Sequence, residues 1–212
     1  MEKDERIIVL ATTNAGKIKE LTGPMAAYGV TVKGLSDYPD LQNIEENGQT
    51  FAQNALIKAR SVAKALNVIA VADDSGLEVD ALHGRPGVHS ARYADDWDFL
   101  PNETRDERNM RKLLWEMEGV PEAKRSCRFV TCMAAVRPDG REMTIEGHWE
   151  GRLLLAPLGH NGFGYDPLFF DPEIGTSAAM LSTEAKTARS HRGKALRALL
   201  ERWNHFVSLP AL

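Results

Sequence analysis

Asp73 and Asp74 are adjacent carboxylates that follow directly on the apolar run Val68 to Ala72 and precede Ser75 and Gly76. Adjacent carboxylates repel one another, so beside a buried strand they call for a proton or a cation, and a divalent metal is the economical choice. The same residues also read as a turn where the strand runs out, since Asp, Ser and Gly favour turns for local hydrogen-bonding reasons. Glu45 and Glu46 add two carboxylates in an acidic, glycine-containing stretch. Magnesium takes one or two carboxylates together with water and substrate phosphates, which suits an acid here plus Asp73 or Asp74. A solvated charge pair is the plainer alternative.

Groups suited to anions accompany these acids. Thr12, Thr13, Asn14, Ala15, Gly16 and Lys17 join a short apolar run to a helical pattern. The free N–H groups of a helix start attract phosphate, and Lys17 adds a point charge. Ile18 follows Lys17 where a Walker A loop needs Ser or Thr, so this is either another kind of phosphate loop or an ordinary turn. On a helical wheel Lys58 lies about 20° from Phe51, inside a stripe with Ala55 and Val62, while Arg60 and Lys64 point the opposite way. A lysine so placed needs an anionic partner, such as Asp74 or a phosphate, or must snorkel to water.

A third group suits a flat ligand. Phe163 stands between Gly162 and Gly164, with Tyr165 and Asp166 next; glycines admit close backbone approach and Phe163 can stack on a base. A hairpin or bulge is the structural alternative. Lys186, Ser190, His191 and Arg192 gather donors at the mouth of the last helix, of which an N-cap at Ser190 explains only one.

These residues need a scaffold of alternating elements. Ile7 to Ala11 reads as a strand, followed by a helix with Ile18, Leu21, Met25 and Tyr28 on one stripe. Pro24 should kink or break that helix unless the helix restarts there, Gly29 should stop it, and Val30 to Leu35 reads as the next strand. Thr50 and Gln53 form a capping box for a helix buried along Phe51, Ala55, Val62 and Leu66. Strands alternating with helices imply an α/β sheet with some parallel pairing. Residues 83 to 103 read as a long loop, of a length that is usually functional or mobile, and Thr104 to Glu118 as a helix buried through Met110, Leu113, Leu114 and Met117. Two strands should flank the turn Pro138-Asp139-Gly140, the second continuing through Trp149 to Leu155. The last helix runs from His191 to Val207, with Ala195, Leu199, Trp203 and Phe206 as its core stripe.

A chain of 212 residues, 43% hydrophobic, can bury a substantial core, and 1–212 reads as one domain without repeats or linkers. The net charge of -4 gives no global field for nucleic acid or anionic lipid, so any anionic ligand must be held locally. Met1 to Arg6 is charged, without the apolar stretch of a signal peptide, and no segment holds about 18 consecutive apolar residues. Cys127 and Cys132 are the only cysteines. Their spacing on a strand puts them on opposite faces, so no disulfide is expected and a reducing cytoplasm fits.

Taken in order, seven segments resemble the inosine triphosphate pyrophosphatase, or Ham1-like, family. They are Thr-Thr-Asn-Ala-Gly-Lys at 12 to 17, Glu-Glu-Asn-Gly at 45 to 48, Phe-Ala-Gln-Asn-Ala-Leu-Ile-Lys-Ala at 51 to 59 and Ala-Asp-Asp-Ser-Gly-Leu at 72 to 77. Pro-Gly-Val-His-Ser-Ala-Arg-Tyr at 86 to 93, Gly-Phe-Gly-Tyr-Asp-Pro at 162 to 167 and Ser-His-Arg-Gly-Lys-Ala at 190 to 195 complete the set. The resemblance implies an α/β fold with a mixed central sheet flanked by helices, two lobes around a substrate cleft, and a homodimer. It implies magnesium-dependent cleavage of ITP, dITP and XTP to the monophosphate and pyrophosphate. By carry-over, Asn14, Lys17 and Lys58 hold the triphosphate and Glu46 and Asp74 ligate Mg2+. Asp74 or Asp73 is the general base, and Ser75 contacts substrate. Phe163 stacks on the purine, and Asp166, Lys186, His191 and Arg192 read its edge, with Gly164 and Tyr165 in the same segment. The chain departs from the family pattern at Thr13, at His160 and Asn161, and at Arg189. A nucleotide-binding regulatory module without catalysis, or a phosphatase releasing orthophosphate, is the alternative.

Overall fold

The computed structural model describes residues 7–26, 28–41 and 44–208, so the charged lead-in Met1 to Arg6 lies outside the described residues. Among the described residues seven strands form one sheet: β1 (Ile7–Leu10), β2 (Thr31–Gly34), β3 (Ile69–Val79), β4 (Ser126–Val136), β5 (Glu142–Leu153), β6 (Phe169–Asp171) and β7 (Thr176–Ser177), in the spatial order β2-β1-β3-β4-β5-β6-β7. β1 pairs in parallel with β2 and with β3, in registers Ile8↔Val32 and Val9↔Ala70. β6 pairs antiparallel with β5 and with β7. The sheet is therefore mixed, as expected, and five helices accompany it among the described residues: α1 (Ala15–Ala26), α2 (Phe51–Leu66), α3 (Arg105–Glu116), α4 (Thr183–Arg189) and α5 (His191–Ser208). None of the described helices is long and apolar enough to cross a membrane.

The chain divides into two compact units, one made of residues 1–74, 131–147 and 193–212 and the other of 75–130 and 148–192. The division falls between Asp74 and Ser75, inside β3. The first unit buries Ile8 and Leu10 of β1 and Leu21 and Met25 of α1 with Met133, Leu199, Trp203 and Phe206. The second is built on Leu77, Leu113, Phe129, Trp149, Leu168 and Phe169. Its inner packing is tight enough that a Cβ on Gly151 would fall 2.5 Å from the Phe169 ring and 2.6 Å from the Phe170 carbonyl oxygen.

Four local expectations need correcting. Asp73 and Asp74 do not open a turn, because β3 runs on through both to Val79. Pro24 does not break α1, which runs on to Ala26; it removes one intrahelical donor in the last described turn, and the bonds of the preceding turns remain. Gly29, at φ +74°, closes that end with its N–H on the Ala26 carbonyl, and Tyr28 lies beyond the helix and is exposed rather than on its buried stripe. At α2 the Gln53 N–H binds Thr50 Oγ1 at 3.1 Å, but the Gln53 side chain accepts from Gln49 N, so only half of a capping box forms. The reciprocal box occurs instead at α3, between Thr104 and Glu107. The sequence pattern also missed α4, a helix of seven residues capped by Ser182.

Residues 83–103 are mostly irregular, with one 3-10 turn over Gly87–Arg92. Buried amide and hydroxyl groups tie this segment down. The Asn109 side chain accepts from Ala94 N and donates to the carbonyls of Ser90 and Ala91, and Ser90 Oγ accepts from Leu77 N while donating to Gly87 O. Cys127 and Cys132 are both buried and free, as their spacing implies, and burial pushes the two thiols up to about 12 and about 11.

Candidate active site

Because successive strand residues face opposite sides, the strand that carries Asp73 and Asp74 separates their side chains. Each carboxylate has its own lysine. Lys17 Nζ lies 3.0 Å from Asp73 Oδ2 and donates to the Asp73 carbonyl at 3.4 Å. Lys58 Nζ lies 3.6 Å from Asp74 Oδ1 and 2.9 Å from Glu46 Oε2. The repulsion expected between neighbouring acids is thus relieved by pleating and by two ammonium groups.

Helix starts and stripes deliver these lysines. Asn14 caps α1, its Oδ1 accepting from Lys17 N at 3.1 Å, and its own N–H binds Thr12 Oγ1. Thr13, Asn14 and Ala15 are exposed at this helix start, Gly16 is half-buried, and the first turn carries no acidic residue to compete for an anion. Lys58 is 8% exposed on the buried face of α2, so it does not snorkel to water. One turn earlier on that face is Asn54, whose Nδ2 donates to Asp74 Oδ2 at 3.0 Å. Thr131 Oγ1 holds the Asp74 carbonyl from β4 at 3.2 Å.

The electrostatics show a surplus of negative charge. Burial is the largest influence on Asp74 and raises its pKa, while Lys58, Lys17 and Asn54 pull the other way without cancelling it. Burial would lower Lys58, yet Asp74, Asp73 and Glu46 outweigh it and hold the ammonium above its ordinary value. Three carboxylates facing two lysines fit a hard cation, for which Glu46 and Asp74, sharing one ammonium, are the oxygen donors at hand. Among the described residues no group of three or more His, Cys, Asp or Glu side chains is gathered for a metal. A magnesium ion that takes part of its shell from phosphate and water needs fewer.

The second unit assembles a different group. Asp166 is 2% exposed and accepts from Phe163 N at 2.9 Å and from Lys186 Nζ at 2.5 Å. A Cβ on Gly162, at φ +81°, would fall 2.0 Å from Asp166 Oδ2, so this position requires glycine on two counts. Gly164 N donates to Asp106 Oδ2 at 2.6 Å. Two cations lie within cation–π distance of the Phe163 ring, with Lys186 Nζ 4.8 Å and Arg192 Cζ 5.6 Å from its centroid. Arg192 is buried and donates to Ser75 Oγ at 2.9 Å. His191 stacks on Phe129 with centroids 4.9 Å apart. Tyr165 belongs to the core, and its hydroxyl donates to the Ser90 carbonyl at 2.9 Å. Ser190 closes α4 and directly precedes α5, so Lys186 and Arg192 come from two abutting helices.

A model of the Ham1 family matches residues 8–202. The chain belongs to the Ham1 family. A protein of Nitratidesulfovibrio vulgaris named dITP/XTP pyrophosphatase is 60% identical over 199 residues, covering 94% of this chain and 96% of that protein. One of the same name from Geobacillus kaustophilus is 46% identical over 200 residues, covering 94% and 95%. Among solved structures, a Ham1 protein from Staphylococcus aureus matches with a TM-score of 0.82 at 38% identity, covering 94% of this chain and 98% of that one. A HAM1 protein from Coxiella burnetii gives 0.83 at 37% identity, with coverage of 94% and 98%.

Sequence reasoning overlooked Asn54, Thr131, Asp106 and Ser90. Asn54 had a signal, since it precedes Lys58 by four residues on the same helical stripe, and Ser90 lies within the segment 86 to 93. Thr131 and Asp106 reach their partners through tertiary contacts that no local spacing encodes.

Proposed function

We infer that this member of the Ham1 family hydrolyses non-canonical purine nucleoside triphosphates, dITP and XTP among them, to the monophosphate and pyrophosphate. The observation that carries the reaction class is the activity named for relatives up to 60% identical over nearly the whole chain. Water attacks the α-phosphorus, the α–β bridging bond breaks, and pyrophosphate leaves with the bonding electrons. Asp74 accepts the water's proton in this reading, supported by its side chain being less enclosed than that of Asp73 and by Asn54 engaging only one of its two oxygens. Asn14, Lys17 and Lys58 hold the triphosphate, with the exposed start of α1 adding N–H donors. Glu46 and Asp74 would hold Mg2+, which when bound supplies positive charge to the triphosphate oxygens.

The Phe163 ring offers a stacking face, and Arg192, His191 and Lys186 are donors suited to the O6 acceptor of hypoxanthine or xanthine, which adenine replaces with an amino group. Asp166 orients Lys186 and the backbone of Phe163. We take 1–212 to act as one catalytic domain in the cytoplasm and as a homodimer. Two free, buried cysteines fit the compartment, and exposed Phe99, Leu100 and Trp115 are apolar surface that association would cover. The net charge of -4 argues against nucleic acid as a partner. The deciding experiment is a panel of nucleoside triphosphates with product analysis. Pyrophosphate from dITP, ITP and XTP is expected; orthophosphate as first product, or binding without turnover, would overturn the reading.

A further inference from the structure

We propose that Asn54 is a positioning residue that clips the Glu46 loop to Asp74 and so keeps the two acids together while substrate is bound. The proposal rests on the reading of Glu46 and Asp74 as the magnesium-holding pair. Asn54 is 1% exposed and uses both ends of its amide. Its Nδ2 donates to Asp74 Oδ2 at 3.0 Å, and its Oδ1 accepts from Gly48 N at 2.8 Å. The orientation is set by chemistry, because the flipped amide would turn oxygen toward a carboxylate and NH2 toward an N–H. Asp74 Oδ2 is thereby engaged, and it is Oδ1 that faces Lys58.

Gly48 matches this arrangement from the other side. A Cβ there would lie 2.6 Å from Asn54 Oδ1, 2.8 Å from Gln53 Cβ and 3.0 Å from Asn54 N, so the loop can approach α2 only with glycine at this position. The loop holding Glu46 is tied to side chains of α2 at three points, at Glu46 by Lys58, at Gly48 by Asn54 and at Gln49 by Gln53, and of the two amides only Asn54 also reaches Asp74. The Lys58 and Asn54 ties differ in what substrate does to them. A triphosphate that recruits the Lys58 ammonium draws it away from Glu46, whereas the neutral Asn54 amide has no charge to be drawn. During turnover the Asn54 clip is the surviving tie that joins the loop to Asp74 itself, and it holds Glu46 near Asp74 when both are needed.

The test uses the full chain with Mn2+ as the probe, titrated by electron paramagnetic resonance in the presence of an α,β-methylene analogue of ITP. Asn54→Leu and Gly48→Ala should each weaken Mn2+ binding in this complex by roughly 10- to 100-fold, the usual consequence of losing a partner that orients a metal ligand. Affinity for the analogue in EDTA should change less than threefold. The double variant should lose no more than the larger single variant, since both changes break one clip. Wild-type Mn2+ affinity in either folded single variant, or losses that multiply in the double variant, would overturn the role of Asn54. Should Asn54→Leu not fold, Gly48→Ala alone carries the test. Absence of Mn2+ binding in the wild-type complex would instead count against the magnesium-holding pair itself.

Discussion

Asp74 in the first unit and Asp171 in the second are both buried carboxylates on strands, yet their surroundings push them in opposite directions. Asp171 accepts from the Trp149 indole at 2.9 Å, from Glu173 N at 2.8 Å and from Arg189 Nε at 3.1 Å. Burial would raise its pKa, but these donors outweigh burial and hold the carboxyl below its ordinary value. Asp74 has a neutral amide on one oxygen and a lysine shared with Glu46 beside the other, and burial prevails. A carboxylate saturated with donors is a structural fixture. One left short of positive charge inside a protein has capacity for a metal or a proton, which is what a reactive centre needs. Arg189 belongs to the saturated site, where it also pairs with Glu173.

Exchanging each acid for its amide gives the largest expected contrast. Asp74→Asn should lower kcat by about a thousandfold or more, on the scale of a lost general base, while the melting temperature holds or rises. Asp171→Asn should do the reverse, costing about 1 to 3 kcal/mol of stability through lost charge-assisted hydrogen bonds with kcat within a few fold of wild type. Turnover and thermal melts on both variants check this, and a folded Asp74→Asn enzyme of normal activity would erase the distinction.

Lys58→Met, which keeps the stem and removes the charge, should reduce kcat/KM for ITP by about ten- to a hundredfold through loss of a charged contact to phosphate. If kcat falls more than KM rises, the contact belongs to the transition state. Equal parameters in wild type and variant would return Lys58 to a purely structural role. In the second unit, Arg192→Ala should hurt ITP more than ATP, compressing their kcat/KM ratio on the order of tenfold, whereas Phe163→Ala should weaken both alike. A proportional loss on both substrates for Arg192→Ala would assign it to phosphate binding or packing.

The smallest effect is in acid. Because the folded pKa of Asp171 is depressed, its contribution to stability is present above the unfolded value and is lost as pH falls through the folded one. Melting temperatures taken from neutral pH into the acid range should therefore fall more steeply for wild type than for Asp171→Asn. Parallel curves would show that Asp171 is not held low in the folded state.

Helix stripes, caps and the alternation of strands and helices follow from residue type and local spacing, so α2, α3, α5 and the β4–β5 turn were legible in the sequence, as was the burial of Lys58 on an apolar face. The ordered segments sufficed to suggest the family, because seven short motifs in one order constrain a chain more than any one of them does. Tertiary structure decided what those motifs could not. β3 continues through Asp73 and Asp74 because pleating gives each acid its own side and its own lysine, Lys17 from 56 residues away along the chain. Asn54, Thr131 and Asp106 find their partners at sequence distances of 20, 57 and 58 residues. The sign of a carboxylate's pKa shift is likewise a sum over burial and over donors brought from other elements, and a linear sequence records neither until the chain has folded.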